Sequence, residues 1–228
     1  MNKVDLNRRA QIGRERRART RAQLVEAARV LLSSRSIASV TVEDVTRRAG
    51  TSKGAFYSHF SRLEDLWNAV AAELAQVFDE VARANRPAIV DPVEGIAAGC
   101  AAFIGEAQRN PPWGALIAHG LWAFPAVARV ARERLTADLR RGQSQDRLAC
   151  FSEEVGFDLV VGVVVQAMRS ASEARLSPGD VPDVVQGILR ALGVNAQDAQ
   201  DAQYAARRAH EAAAATGDAG SASTRNPI

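Results

Sequence analysis

Lys53, Tyr57, Ser58 and His59 lie close together in the chain, with Ser52 just ahead of them and Thr41 a short way upstream. A cation, three hydroxyls, a phenol and an imidazole in such a group bond to phosphate oxygens and base edges. Arrangements for breaking bonds are missing. The three histidines, His59, His119 and His210, are far apart, and none forms an H-E-x-x-H pair. There is no C-x-x-C for zinc, no G-x-S-x-G turn and no phosphate-cradling G-x-x-x-x-G-K. No enzyme, metal site or cofactor is therefore expected.

The elements that must carry these side chains are two short helices around a tight turn, within residues 41–60. Thr41 reads as an N-cap, with Asp44 three positions on to reach back as in a capping box. Val42, Val45 and Ala49 give that helix one apolar face. Gly50 supplies the turn, since glycine takes positive φ without steric cost, and Thr51 or Ser52 caps the second helix. Phe56 and Phe60, four apart, point into a core. Gly54, Ala55, Tyr57 and Ser58 then face outward, with Lys53 and His59 at the flanks. That outward face is small, hydroxylated and aromatic, as suits a helix entering the DNA major groove. A plain packing role for Tyr57 is the alternative.

Residues from about Arg17 to Ala75 resemble the DNA-binding domain of the TetR family of transcriptional regulators. Ala-Gly-Thr-Ser-Lys-Gly-Ala-Phe-Tyr-Ser-His-Phe (49–60) is similar to that family's A-G-V-S-x-G-x-x-Y-x-H-F pattern nearly position by position. Residues 20–32 resemble the family's first helix and 64–70 its fourth. One departure stands out. Where the family usually has a phosphate-reaching Lys before the Glu that opens the fourth helix, this chain has Leu63, with Arg62 beside it.

Charge points the same way. Residues 1–60 hold 13 Lys+Arg and 5 Asp+Glu, a net of +8, while residues 61–228 hold 16 and 21, a net of −5, giving the chain's +3. A basic first quarter on a mildly acidic body suits a polyanionic partner. Arg8, Arg9, Arg14, Arg16, Arg17, Arg19 and Arg21 precede the first helical stripe. For residues 1–15 a solvated tail and an arm on phosphates are equally good readings; from Arg16 on, DNA contact is favoured.

Helices are expected throughout the remainder. Helix one covers roughly 17–33. A long fourth helix from about Ser61 to Arg86-Pro87 carries Leu63, Leu66, Trp67, Val70, Leu74, Val77, Phe78 and Val81 at helical spacing. Asp91-Pro92-Val93-Glu94 starts another. A short apolar helix spans 113–124, and Pro125 begins one that Gly142 closes. Residues 152–174 are apolar on nearly every side, which demands cover all round. With Pro182–Leu192 they form the expected dimer interface, Val160, Val164, Val184, Val185, Ile188 and Leu189; two helices buried within a monomer are the alternative. Phe103, Trp113, Ile117, His119, Trp122 and Met168 (with Phe124) are candidate walls of an effector pocket.

The expected architecture is all-α. A basic flexible arm (1–15) leads into a three-helix helix-turn-helix domain (16–77, motif 41–60). A long helix joins that domain to a helical effector-binding and dimerisation domain (78–195), and residues 196–228 are expected to be disordered. Cys100 and Cys150 read as inert buried thiols of a reducing cytosol. The apolar run Leu159–Met168 is too short to span a bilayer, and no secretory pattern opens the chain, so a cytoplasmic protein is expected. The resemblance implies a homodimer binding a near-palindromic double-stranded operator, with half-sites about a helical turn apart. Lys53, Thr41, Ser52 and His59 would hold phosphates, with Arg17 and Arg62 nearby. Tyr57 would touch a phosphate or a thymine methyl, and Gly54, Ala55 and Ser58 would lie on base edges. A small apolar or amphipathic effector would release a repressor from its operator. The alternatives are a helical small-molecule-binding or catalytic protein with an incidental basic arm, or a DNA-binding regulator governed by a protein partner.

Overall fold

The computed structural model describes residues 3–84, 91–121, 124–149, 151–205, 207 and 208, and all regular structure among them is helical. Helix α1 spans Lys3–Leu32, so the arm expected to be flexible is helical from Lys3. Its residues allow this: the stretch has no proline, and Leu6, Arg8, Arg9, Ala10, Gln11, Arg14 and Glu15 are good helix formers. Gln11 also donates to Glu15 one turn on at 3.1 Å. The helix rises about 45 Å over its 30 residues. Its C-terminal part is anchored through buried Leu24, Val25, Ala27, Ala28 and Leu32.

Helix α2 (Val42–Ala49) has the expected capping box and ends on Gly50 at φ 63°. Helix α3 is shorter than the sequence implies, Lys53–Tyr57, with Ser52 as its cap. The chain turns after Tyr57, and Phe60 reaches the core from beyond the helix, 4% exposed. Helix α4 (Leu63–Ala84) follows, with Leu66, Val70, Leu74 and Phe78 buried along one stripe. Helix α1 packs against α2 and α4, α3 packs against α2 with Phe56 buried, and α4 runs on against α5 and α7.

The body consists of α5 (Pro92–Arg109), α6 (Pro111–Gly120), α7 (Pro125–Ser144), α8 (Glu153–Ser172) and α9 (Val181–Ala191). Asp91 caps α5 by accepting from Val93 and Glu94. Asn110 ends α5 and also caps α6. Gly142 does not close α7, which continues to Ser144. A Cβ at Gly142 would lie 2.5 Å from Leu148 Cδ1, so this glycine serves close packing. Asp146, at φ 55°, makes the left-handed turn instead.

A tenth helix, α10, covers 196–205, where disorder was expected. Asn195 Oδ1 accepts from the Asp198 amide at 3.0 Å as its cap. The three-residue repeat that reads as low complexity places Ala199 and Ala202 on one face, 0% and 4% exposed. Small side chains bury there without any large apolar residue. The rest of the expected disordered tail, 209–228, lies outside the described residues.

Candidate nucleic-acid interface and effector cavity

Phe56 is fully buried and Tyr57, its neighbour, is 57% exposed. The two rings meet edge to face at 5.3 Å and 86°, so the buried ring holds the exposed one upright. The phenol is not packed inside the protein. Gly54 and Ser58 beside it are exposed and Ala55 is half-buried. A Cβ at Gly54 would meet only Ser52 Oγ at 3.8 Å, an ordinary contact. Nothing within the protomer requires glycine there.

The hydroxyls of this surface shape it as well as line it. Ser52 Oγ accepts from the Ala55 amide at 3.1 Å, and Ser58 Oγ donates to the Ala55 carbonyl at 2.7 Å. Thr41 Oγ1 accepts from the Asp44 amide at 3.2 Å and donates to Asp44 Oδ2 at 2.8 Å. Bonds from the Thr41 side chain and amide, with Arg35 adding to them, lower the Asp44 pKa from 3.8 to about 2. Lys53 Nζ lies 3.2 Å from Glu43 on the exposed surface, an arrangement that leaves the cation accessible.

Arg17 reaches from α1 to donate to the Ser58 carbonyl at 2.8 Å. One turn on, Arg21 stands over the Phe60 ring, 5.3 Å from its centroid. The sequence places Arg21 among the cations expected at DNA; its stacking on Phe60, four residues on from Arg17, was not anticipated. Burial, and then the charges of Arg17 and Arg21, hold the half-buried His59 imidazole below its ordinary range. Leu63 packs against the core, whereas Arg62 projects into solvent with Nε 3.9 Å from Asp65. The cation at this corner is thus Arg62.

The body holds a largely apolar, partly open cavity of about 110 Å³ between α4, α5, α6, α7 and α8. Of the expected wall residues, Phe103, Ile117 and Met168 line it. Trp113 does not. It is 1% exposed, stacked behind Phe103 at 6.3 Å, and its indole N–H finds no acceptor among the described residues. Nor does His119, which is on the surface with Nδ1 2.8 Å from the Ala115 carbonyl of its own helix. Trp122 lies outside the described residues, as does Cys150. Phe124 is buried but not in the wall. The polar groups at the cavity are Arg134 and Asp138 of α7. The sequence offered no signal for them, because charges in an amphipathic helix ordinarily read as a solvated face. Cys100 also lines the cavity, its thiol pushed up to about 12 by burial, which keeps it protonated.

Five of the six expected interface residues are already buried within a single protomer. Val160, Val164, Val185, Ile188 and Leu189 are 4%, 9%, 1%, 3% and 0% exposed in a single protomer. They are occupied in joining α8 and α9 to α5 and the cavity; only Val184 remains half-buried. The apolar surface actually presented on α8 is Val155, Leu159 and Val163, 50%, 37% and 44% exposed. Periodicity found the stripes but could not say which one the protomer itself covers. Helix α8 is long and apolar enough to cross a membrane by length and composition, which the shorter apolar run did not indicate. Phe157, Val160, Val161 and Met168 are nevertheless inside the core of the body. No cluster of three or more potential metal ligands occurs among the described residues.

Residues 24–70 match the family model of bacterial regulatory proteins of the tetR family, and residues 91–207 match the tetracyclin repressor-like C-terminal domain. Together with the helix-turn-helix geometry, these matches define the class, a bacterial regulatory protein. The chain belongs to the TetR family. Among curated proteins, it is 36% identical over 72 residues to the HTH-type transcriptional regulator TtgR of Pseudomonas putida, and equally so to the probable regulator ArpR of the same species. Each match covers 32% of this chain and only 34% of the relative, about a third of its length. Among solved structures, CprB from S. coelicolor A3(2) superposes with a TM-score of 0.65 at 21% identity, covering 86% of this chain and 98% of that one. RolR complexed with resorcinol gives 0.57 at 24% identity, covering 83% and 95%. These two likenesses establish the shared fold.

Proposed function

We propose that the chain is a homodimeric, ligand-responsive DNA-binding regulator of the cytoplasm, acting as a repressor. The observation that carries this reading is the surface of α3. Its phenylalanine is buried, its tyrosine stands in solvent, and its glycine is not required by any internal contact. Each subunit inserts this surface into a major groove, with Gly54, Ala55 and Ser58 on base edges and Tyr57 on a phosphate or thymine methyl. Lys53, Thr41, Ser52, His59, Arg17 and Arg62 hold the backbone. Arg17, Lys53 and Arg62 are exposed cations of this region.

The second subunit covers Val155, Leu159 and Val163 of α8, with Val184 of α9 at the margin. A twofold axis brings the same apolar patch onto itself and removes it from water. Helix α4 runs from the Phe56 core to the cavity, where it contributes Phe78 and Ala82. A small effector in the cavity acts on α4 and shifts the dimer to a geometry whose recognition helices no longer match two half-sites. Operator and effector then weaken each other by the same factor.

The test is an electrophoretic shift with fragments of the source genome. A specific complex should form and should be lost in Tyr57→Ala and Lys53→Ala proteins that unfold at the temperature of the parent. Undiminished binding by both variants rules out this surface.

A further inference from the structure

We infer that the cavity takes a compact, neutral, one-ring molecule bearing a hydroxyl group, an assignment that rests on the effector reading above. Size sets the first limit. The cavity holds about 110 Å³, and a dry apolar cavity of roughly 150 Å³ is enough for benzene. A single six-membered ring is therefore the scale of occupant. The wall supplies the second limit. Phe78 and Phe103 meet with ring centroids 4.3 Å apart, and Met168 adds a polarisable thioether beside them.

The head group follows from α7. Arg134 and Asp138 are four residues apart, so they lie on one face of the helix, about 5–6 Å apart at their Cβ atoms, and both line the cavity. Each already has an opposite charge: Arg134 bridges Asp79 of α4, and Asp138 bridges Arg141. A carboxylate added at Arg134 would face Asp138 one turn away, and an ammonium added at Asp138 would face Arg134. Either brings an uncompensated charge into apolar surroundings, which is strongly unfavourable. A hydroxyl satisfies both neighbours, donating to the carboxylate and accepting from the guanidinium, whose five N–H donors exceed what one carboxylate can take. Because Asp79 is the residue after Phe78, the bridge that such a ligand touches is also the one tying α7 to α4.

The assignment is tested on the full chain by calorimetric titration and thermal unfolding with phenol, toluene, benzoate and benzylamine. Phenol should raise the melting temperature and bind at least ~tenfold more tightly than toluene, the ratio expected for a hydrogen bond to a charged group. Benzoate and benzylamine should show no saturable binding. Asp138→Asn should bring the phenol-to-toluene ratio towards one. A second variant covers the case in which Asp138→Asn does not fold. A Cβ at Gly99 meets nothing within 4 Å, and Gly99 lines the cavity, so Gly99→Leu should fill it and abolish phenol binding while unfolding cooperatively. The assignment is overturned if toluene equals phenol, if a charged compound binds best, if none binds, or if Gly99→Leu binds phenol as the parent does. Phenol binding that leaves duplex affinity unchanged would sink the effector role and leave the ligand class standing. No phenol binding by a protein that still holds its duplex would do the reverse.

Discussion

Arg17 donates to the Ser58 carbonyl at 2.8 Å, tying the first helix to the end of the recognition helix across 41 residues of chain. The contact is exposed, so it adds little to stability, no more than about 1 kcal/mol. Its effect is to aim α3 and to set a guanidinium beside it. Arg17→Ala should therefore leave the melting temperature nearly unchanged and weaken duplex binding about tenfold. Fluorescence titration of a labelled operator duplex reads the change. Equal affinity would show that Arg17 neither aims the helix nor meets phosphate.

Gly54 separates folding from binding more sharply. Its φ is not in the left-handed region and a Cβ there has room, so Gly54→Ala should stabilise the helix, by about 0.5–1 kcal/mol. The added methyl should also hold the helix away from the groove. The expected result is a higher urea midpoint together with an operator affinity at least ~tenfold lower. A variant that gains stability and keeps its affinity would mean that no surface closes on this position.

The contrast between residues 41–60 and the body says where sequence suffices. Caps, the Gly50 turn and the Phe56–Phe60 spacing are local signals, and the structure follows them closely. Val160 and Leu159 could not be separated in this way. Both belong to a helix apolar on most sides, and the packing of α5, α6 and α7 against it decides that Val160 is 4% exposed and Leu159 37%. Arg134 likewise reads as a solvated charge until the fold brings Asp79 and the cavity to it. Ala199 and Ala202 are the opposite case: composition hid a face that two small side chains suffice to bury.

The N-terminal turns of α1 carry Arg8 and Arg14, both exposed and beyond the buried part of the helix. Deleting residues 1–13 removes Lys3, Arg8 and Arg9. If these meet duplex flanking the half-site, the slope of log affinity against log salt should become shallower by about 0.9 for each phosphate that is no longer neutralised. Preference for operator over random duplex should not change, since phosphate contacts carry no sequence information. An unchanged slope would place this stretch of helix clear of DNA.

Asp44 gives the helix-turn-helix an acid limit. Its carboxyl, bonded by Thr41 and Arg35, titrates at about 2 in the fold against an ordinary 3.8. The folded pKa is depressed, so the unfolded chain binds more protons between these values. The stabilisation is complete above pH ~4 and is lost as pH falls towards 2. Asp44→Asn should be less stable than the parent at neutral pH, and the difference should shrink over that acid window. Urea unfolding at several pH values measures it; a difference that stays constant with pH would assign the destabilisation to something other than this carboxylate.

Leu159 and Val160, adjacent on α8, should respond to the same substitution in opposite ways. Leu159 is on the exposed apolar face and Val160 lines the cavity. Leu159→Asp puts a charge where the second subunit would sit, so each protomer should fold while the dimer dissociates, and operator affinity should collapse once the half-sites are no longer bound as a pair. Val160→Asp buries a charge without a counter-ion and should destabilise the protomer itself by more than about 3 kcal/mol. Sedimentation velocity and thermal unfolding on the two variants distinguish the outcomes. A Leu159→Asp protein that remains dimeric would place the twofold contact on another surface.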